Sequence, residues 1–283
     1  MIFDGKEFAR QKEERLKLQV EALKAQGITP KMVSILADNS PETALYVSLK
    51  SKFAEKIGAL YDVHRFDGGE TQRIIEFIKE QNKNPSVHGI MVQLPVINEN
   101  QILQAITPEK DADCLTAENL GKVLLGEPRL LPATVKATAD IIKFAIEHLE
   151  GAQKEEDWLA GKNVCIIGAS IIVGKPLAIY LSDLGATVTI CHSKTENLPE
   201  FTKKADVVVS ATGVTDLVTV DMVKYGAIVI DVGISKLLRG GKFRVMGDVD
   251  PKVVEKTAFL SPVPGGVGPV TVASLFENLL SLL

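Results

Sequence analysis

Asn163-Val-Cys-Ile-Ile167, then Gly168-Ala-Ser-Ile-Ile-Val-Gly174, then Lys175-Pro-Leu-Ala-Ile-Tyr-Leu-Ser-Asp-Leu184 follow one another without interruption, and reading them decides the fold. The first block is short and apolar, as in a strand buried on both faces. The second is a glycine turn, and Leu177 to Leu184 reads as the helix that follows it. A strand running through a glycine turn into a helix N-terminus makes an anion site, because small residues let free backbone amides approach a phosphate. The turn departs from G-x-G-x-x-G: Ser170 stands at the second glycine and Gly174 comes one residue late. Gly168, Ala169, Ser170 and Gly174 are the candidate phosphate positions.

The next strand, Ala186 to Cys191, opens into His192-Ser193-Lys194-Thr195, with no acid before Glu196. An acid at such a strand end commonly holds a ribose 2′-hydroxyl. A hydroxyl, a cation and an imidazole suit a 2′-phosphate better, so Ser193 and Lys194 favour NADP over NAD, with NAD the alternative. Ala205 to Gly213 and Ala227 to Gly233 are two further strands. Each ends in glycine, where a cofactor can approach the backbone, and Ile234 is placed to cover it. Gly213 and Ile234 therefore join the cofactor-binding candidates. This half reads as a Rossmann-like domain.

Upstream, Met32 to Ala37, Leu60 to Phe66 and Val87 to Leu94 alternate with helical stretches, which predicts a second parallel sheet. Thr134 caps a periodic helix running to about Leu149, read as the crossover between domains. The boundaries expected are residues 1–133, joined by the C-terminal helix 270–283, and residues 134–269. In the first domain, Ser40-Pro-Glu starts a helix with an N-cap, a proline at the first position and an acid at the positive end of the dipole. Leu45, Leu49 and Phe53 are its expected buried stripe, and Tyr46 and Lys50 share a face one step round. A phenol and an ammonium at the edge of a buried face can move protons; a solvated lysine beside a half-buried tyrosine is the bland alternative. Gln93 ends a strand, and Asp111 and Asp113 lie in a polar loop beyond it.

Composition narrows the function. The chain has 283 residues, 46% hydrophobic and 24% charged, with a net charge of −4. That suits a two-domain globular enzyme and gives no general attraction to nucleic acid or anionic membrane. Three scattered cysteines argue against a disulfide framework and for the cytoplasm, and four histidines at no ligand spacing argue against a metal. The charged start reads as an amphipathic helix, not a signal peptide, and no apolar run reaches membrane-spanning length.

Tyr46-Val-x-x-Lys50, His88-Gly-Ile-Met-Val-Gln-Leu-Pro95, Lys110-Asp-x-Asp113, Gly168-x-Ser-x-Ile-Val-Gly-Lys-Pro176, Cys191-His-Ser-Lys-Thr195, Val229-Ile-Asp-Val-Gly-Ile234, Gly247-Asp-Val249 and Pro262-Val-Pro-Gly-Gly-Val-Gly-Pro269 run nearly end to end. In these motifs the chain resembles the bifunctional methylenetetrahydrofolate dehydrogenase / methenyltetrahydrofolate cyclohydrolase family. The resemblance implies a homodimer of two-domain α/β subunits with the folate in the cleft between domains, oxidised with NADP and then opened by water to 10-formyltetrahydrofolate. It implies Lys50 as the catalytic lysine with Gln93 and Tyr46 as partners, Asp113 on the pterin, and Pro264 and Gly265 beside the folate. The chain departs from the family pattern at Ala169, where many members carry Arg. It departs again at Pro132-Ala-Thr-Val-Lys-Ala137, and at Cys114, where glycine is common. Two rival readings are a dehydrogenase alone, and a binding module without catalysis.

Overall fold

The computed structural model describes residues 1–38, 41–67, 69–151, 154–239 and 242–283. In chain order the elements are α1 (Gly5–Ala25), β1 (Lys31–Leu36), α2 (Pro41–Ile57), β2 (Leu60–Arg65), α3 (Thr71–Lys83), β3 (Gly89–Gln93), α4 (Glu99–Leu103), α5 (Ala117–Leu124), α6 (Ala133–Glu150) and α7 (Glu155–Leu159). They continue with β4 (Asn163–Ile167), α8 (Gly174–Asp183), β5 (Thr187–Cys191), α9 (Pro199–Thr202), β6 (Val207–Ser210), β7 (Ile228–Asp231), β8 (Ser235–Arg239), β9 (Lys242–Met246), β10 (Phe259–Ser261) and α10 (Val267–Ser281). The chain forms two compact units: Ala9–Ala133 with Val272–Leu283, and Thr134–Thr271 with Met1–Phe8.

The first unit holds a parallel sheet in the order β2-β1-β3. Its strands are short and apolar because helices cover them, and β1 is buried along nearly its whole length. The end of α10 belongs to this unit. Its Ala273, Leu275, Phe276 and Leu279 pack with Leu16, Val20, Met32, Phe53 and Met91 in one core, with Phe53 stacked on Phe276 at 5.4 Å. An apolar helix with few charged faces has to be buried, and this core takes up that surface.

The second unit holds a five-stranded parallel sheet, β10-β7-β6-β4-β5, and a β8-β9 hairpin. Numbered from β4, the order is 2-1-3-4-5, a doubly wound sheet whose direction of winding reverses between β4 and β6. The first eight residues belong here, not with residues 9–133 as the sequence suggests. Phe3 N donates to Leu260 O at 2.9 Å and Gly5 N to Gly265 O at 2.8 Å, and Phe3 packs on Phe8, Phe144 and Phe259.

Helix α2 corrects the expected stripe. Leu45 and Leu49 are each 44% exposed, and the buried face is Thr43, Val47, Lys50, Ala54 and Ile57, with Phe53 beside it. The helix is rotated so that its lysine, and not its leucines, faces inward. The Ser40 cap lies outside the described residues. Thr116 supplies the cap of α5 by accepting Asn119 N. Helix α6 begins at Ala133, so Thr134 lies within its first turn and does not cap it.

Candidate active site

Lys50 is 7% exposed, a nearly full burial that a lysine tolerates only with partners. Its Nζ donates to Gln93 Oε1 at 2.7 Å and lies 3.6 Å from Met91 Sδ. Met91 and Gln93 are two apart on β3 and so face the same way. Tyr61 Oη, on β2, approaches the same sulfur at 3.9 Å. Burial drives the Lys50 ammonium down to about 8, against the attraction of Asp113, which pulls it back up. Burial also raises the hydroxyl of half-buried Tyr46, and pushes Tyr61 up to about 12. An ammonium has three donors. One is held by Gln93 and one points at sulfur, which leaves a third for chemistry.

Asp113 follows the Pro108–Lys110 turn. The backbone N–H of Ala133, the first residue of α6, favours its charged form, as the positive end of a helix dipole does. Burial nonetheless lifts it to about 6, with Lys50 pulling down and Asp111 pushing up. Asp111 has a different job. It is buried, and its Oδ2 accepts Thr116 N at 2.8 Å and Asn119 Nδ2 at 3.0 Å, which fixes the loop. Next to Asp113, Cys114 adopts a left-handed φ of 58°, a conformation that favours glycine. Its Sγ donates to Leu130 O at 3.2 Å, and this bond accompanies the unusual backbone.

In the second unit, the glycine turn lies where β4 and β6 part. Gly168 has φ 119°, and a Cβ built on it would fall 2.4 Å from Ala211 O. A Cβ on Gly174 would fall 1.8 Å from Gly168 O. Two glycines thus let the β4 end, the β6 end and the start of α8 close on one another, leaving backbone where a phosphate needs it. Ser170 Oγ accepts Val173 N at 3.1 Å, and Ala169 is half-buried beside it. Ser193 and Lys194 are exposed in the turn after β5, which is closed by Thr195 N on His192 O at 2.8 Å. Gly213, at φ 73°, is 3.7 Å from Ile234 O measured from a built Cβ, so these two candidates are neighbours. Pro264 and Gly265 also belong to this unit, and Gly265 has φ 97°.

Three residues escape sequence reading. Met91 lies inside a quoted motif, and only the β3 alternation with Gln93 points to it. Asp231 and Asp248 lie in quoted motifs to which no role was attached. Both are buried, and burial pushes Asp231 up to about 7. No group of three or more His, Cys, Asp or Glu among the described residues could hold a metal ion.

Two family profiles match the chain. Tetrahydrofolate dehydrogenase/cyclohydrolase, catalytic domain, covers residues 3–113, and the NAD(P)-binding domain of the same family covers residues 133–283. Bifunctional protein FolD of Bacillus velezensis is 43% identical over 282 residues, 98% of this chain and 95% of that protein. The structure of the bifunctional FolD methylenetetrahydrofolate dehydrogenase/cyclohydrolase from Campylobacter jejuni superposes with a TM-score of 0.90 at 37% identity, covering 100% of this chain and 98% of that one. The Trypanosoma brucei FolD, solved with NADP cofactor and inhibitor, gives 0.92 at 32% identity, covering 100% and 96%.

Proposed function

This chain belongs to the tetrahydrofolate dehydrogenase/cyclohydrolase family, and from that premise we propose how its own residues divide the work. The enzyme oxidises 5,10-methylenetetrahydrofolate to the methenyl form and hydrolyses that to 10-formyltetrahydrofolate, two steps of one-carbon metabolism. The observation that carries the assignment of residues is Lys50, buried and held by Gln93 at 2.7 Å with its ammonium lowered to about 8.

NADP, when bound, supplies a hydride acceptor. The residues fit it: the tight glycine turn at Gly168 and Gly174 has no room for a Cβ and so keeps side chains away from the backbone amides, and the Ser193-Lys194 turn offers a hydroxyl and a cation without a competing carboxylate. We therefore favour NADP over NAD. Gly168, Ala169, Ser170 and Gly174 bind the phosphates, and Gly213 and Ile234 line the nicotinamide end. For hydride transfer the protein's task is alignment of two carbons. For water addition it is proton transfer. Neutral Lys50 takes a proton from water as the oxygen bonds to the methenyl carbon, and the resulting ammonium returns it to the ring nitrogen as the carbon–nitrogen bond breaks, while the remaining hydroxyl proton leaves to solvent as the formyl carbonyl forms. Gln93 holds Nζ in place without adding charge, and Tyr46 lines the same face. Asp113 accepts the paired N–H donors of the pterin, and Pro264 and Gly265 flank the folate. We further propose a homodimer in the cytoplasm. Support for the dimer comes from β5, an edge strand whose Ile190 is 38% exposed; support for the compartment comes from three free thiols.

The test is one assay with 5,10-methylenetetrahydrofolate, run in parallel with NADP and NAD, following reduced cofactor and methenyl absorbance together. Faster reduction of NADP without lasting methenyl accumulation is expected. Faster reduction of NAD would overturn the cofactor preference, and accumulation of methenyl folate would leave a dehydrogenase alone.

A further inference from the structure

The Asp231–Asp248 pair is a buried polar group that the reaction leaves unused. Asp248 is 0% exposed. Its Oδ2 accepts three donors from the end of β6: Ser210 Oγ at 2.8 Å, Thr212 N at 2.7 Å and Thr212 Oγ1 at 2.8 Å. Its Oδ1 takes no hydrogen bond among the described residues and lies against Gly233, where a built Cβ would fall 1.9 Å away. The backbone of the same segment is tied to β7, because Asp248 N and Val249 N donate to the two oxygens of Asp231 at 3.0 and 3.1 Å. The packing is reciprocal: a Cβ on Gly247 would fall 1.8 Å from Asp231 Oδ2. Each carboxylate therefore rests on a glycine within two residues of the other.

A fully buried carboxylate is costly, and an apolar side chain would join two strand ends more cheaply. Asp248 does something an apolar residue cannot, which is to fix the backbone direction of residues 210–212 and hold it against residues 231–233. Those segments lead directly to Gly213 and Ile234, which are neighbours and exposed. We infer that Asp248 is a positioning residue for the cofactor: it locks the ends of β6 and β7 so that Gly213 and Ile234 present a fixed backbone edge to the nicotinamide end. This rests on the reading of Gly213 and Ile234 as cofactor-binding.

The test uses the full-length enzyme with Asp248→Ala, Asp248→Asn and Gly233→Ala. Three readouts are taken: NADPH affinity by titrating the nucleotide's fluorescence, KM and kcat for NADP, and hydrolysis of supplied methenyltetrahydrofolate without nucleotide. Losing the acceptor of three donors in Asp248→Ala should weaken NADPH binding and raise KM for NADP roughly ten- to a hundredfold, while methenyl hydrolysis stays within about twofold. Asp248→Asn keeps an acceptor oxygen for Ser210 and Thr212 and should recover most of the affinity. Gly233→Ala, which displaces Asp248, should behave like Asp248→Ala. Wild-type NADPH affinity in Asp248→Ala would overturn the inference, as would methenyl hydrolysis falling in step with affinity. If Asp248→Ala does not fold, wild-type affinity in Gly233→Ala overturns it instead. A wild-type enzyme that binds no NADPH would sink the cofactor reading itself, a different failure.

Discussion

At the scale of single residues, the chemistry turns on what burial does to two charges. Lys50 is lowered to about 8 and Asp113 raised to about 6, in both cases mainly by burial, and each opposes the other's shift. In the proposed mechanism the base is the neutral amine. Methenyl hydrolysis should therefore rise with pH and level off above about 8, a limb that a pH–rate profile on supplied methenyltetrahydrofolate will show and the hydride step will lack. The sign for stability is separate. A lysine whose folded value lies below its unfolded value of about 10.4 is less protonated when folded, so its contribution to stability rises with pH between those values. Asp113 works the other way, and its contribution falls as pH rises from about 4 to about 6. Asp113→Ala should raise KM for the folate by roughly a hundredfold with little effect on NADP affinity, because it removes a charge-assisted pair of hydrogen bonds. Steady-state kinetics with both substrates varied will decide. Lys50, Gln93 and Asp113 were legible in the sequence as motif residues. The burial of Lys50 was not, since nothing in the spacing of α2 says which of two adjacent faces turns inward.

That ambiguity belongs to the scale of elements. Leucines four apart outrank a lysine as a core stripe by hydrophobicity alone, yet Leu45 and Leu49 are exposed and Val47 and Lys50 are buried. Leu45→Gln and Leu49→Gln should each change stability by no more than about 0.5 kcal/mol, whereas Val47→Ala should cost about 1–3 kcal/mol in a denaturation titration. Equal costs at Leu49 and Val47 would restore the leucine stripe. The strand–glycine–helix stretch was read more fully, because β4 matches its apolar run and a glycine turn has few alternatives. What the sequence did not show is how tight the turn is. With φ at 119° and Ala211 O at 2.4 Å from a built Cβ, Gly168→Ala must move the β4 and β6 ends apart. It should cost about 1–3 kcal/mol and weaken NADPH binding in the same fluorescence titration. Helix α5 was missed because its capping residue, Thr116, is separated from any strong apolar repeat by Gly121.

At the scale of the whole molecule, each set of residues sits in its own compact unit: Tyr46, Lys50, Gln93 and Asp113 in one, the glycine turn, Ser193, Gly213 and Ile234 in the other. Both sheets were legible because alternating strands and helices leave few arrangements. The placement of residues 1–8 was not, because it depends on distant pairings such as Phe3 N with Leu260 O. The two activities should therefore separate by mutation in opposite directions. The measurement that bears most directly on this account is Lys50→Met with 5,10-methylenetetrahydrofolate and NADP, following reduced cofactor and methenyl absorbance together. Removing a buried ammonium should leave the thermal midpoint at or above that of the wild type at pH 7. Cofactor should still be reduced, while methenyl folate accumulates because its hydrolysis has slowed by roughly 10²–10⁴-fold. A folded Lys50→Met that hydrolyses methenyltetrahydrofolate at the wild-type rate would contradict the central claim that Lys50 is the base.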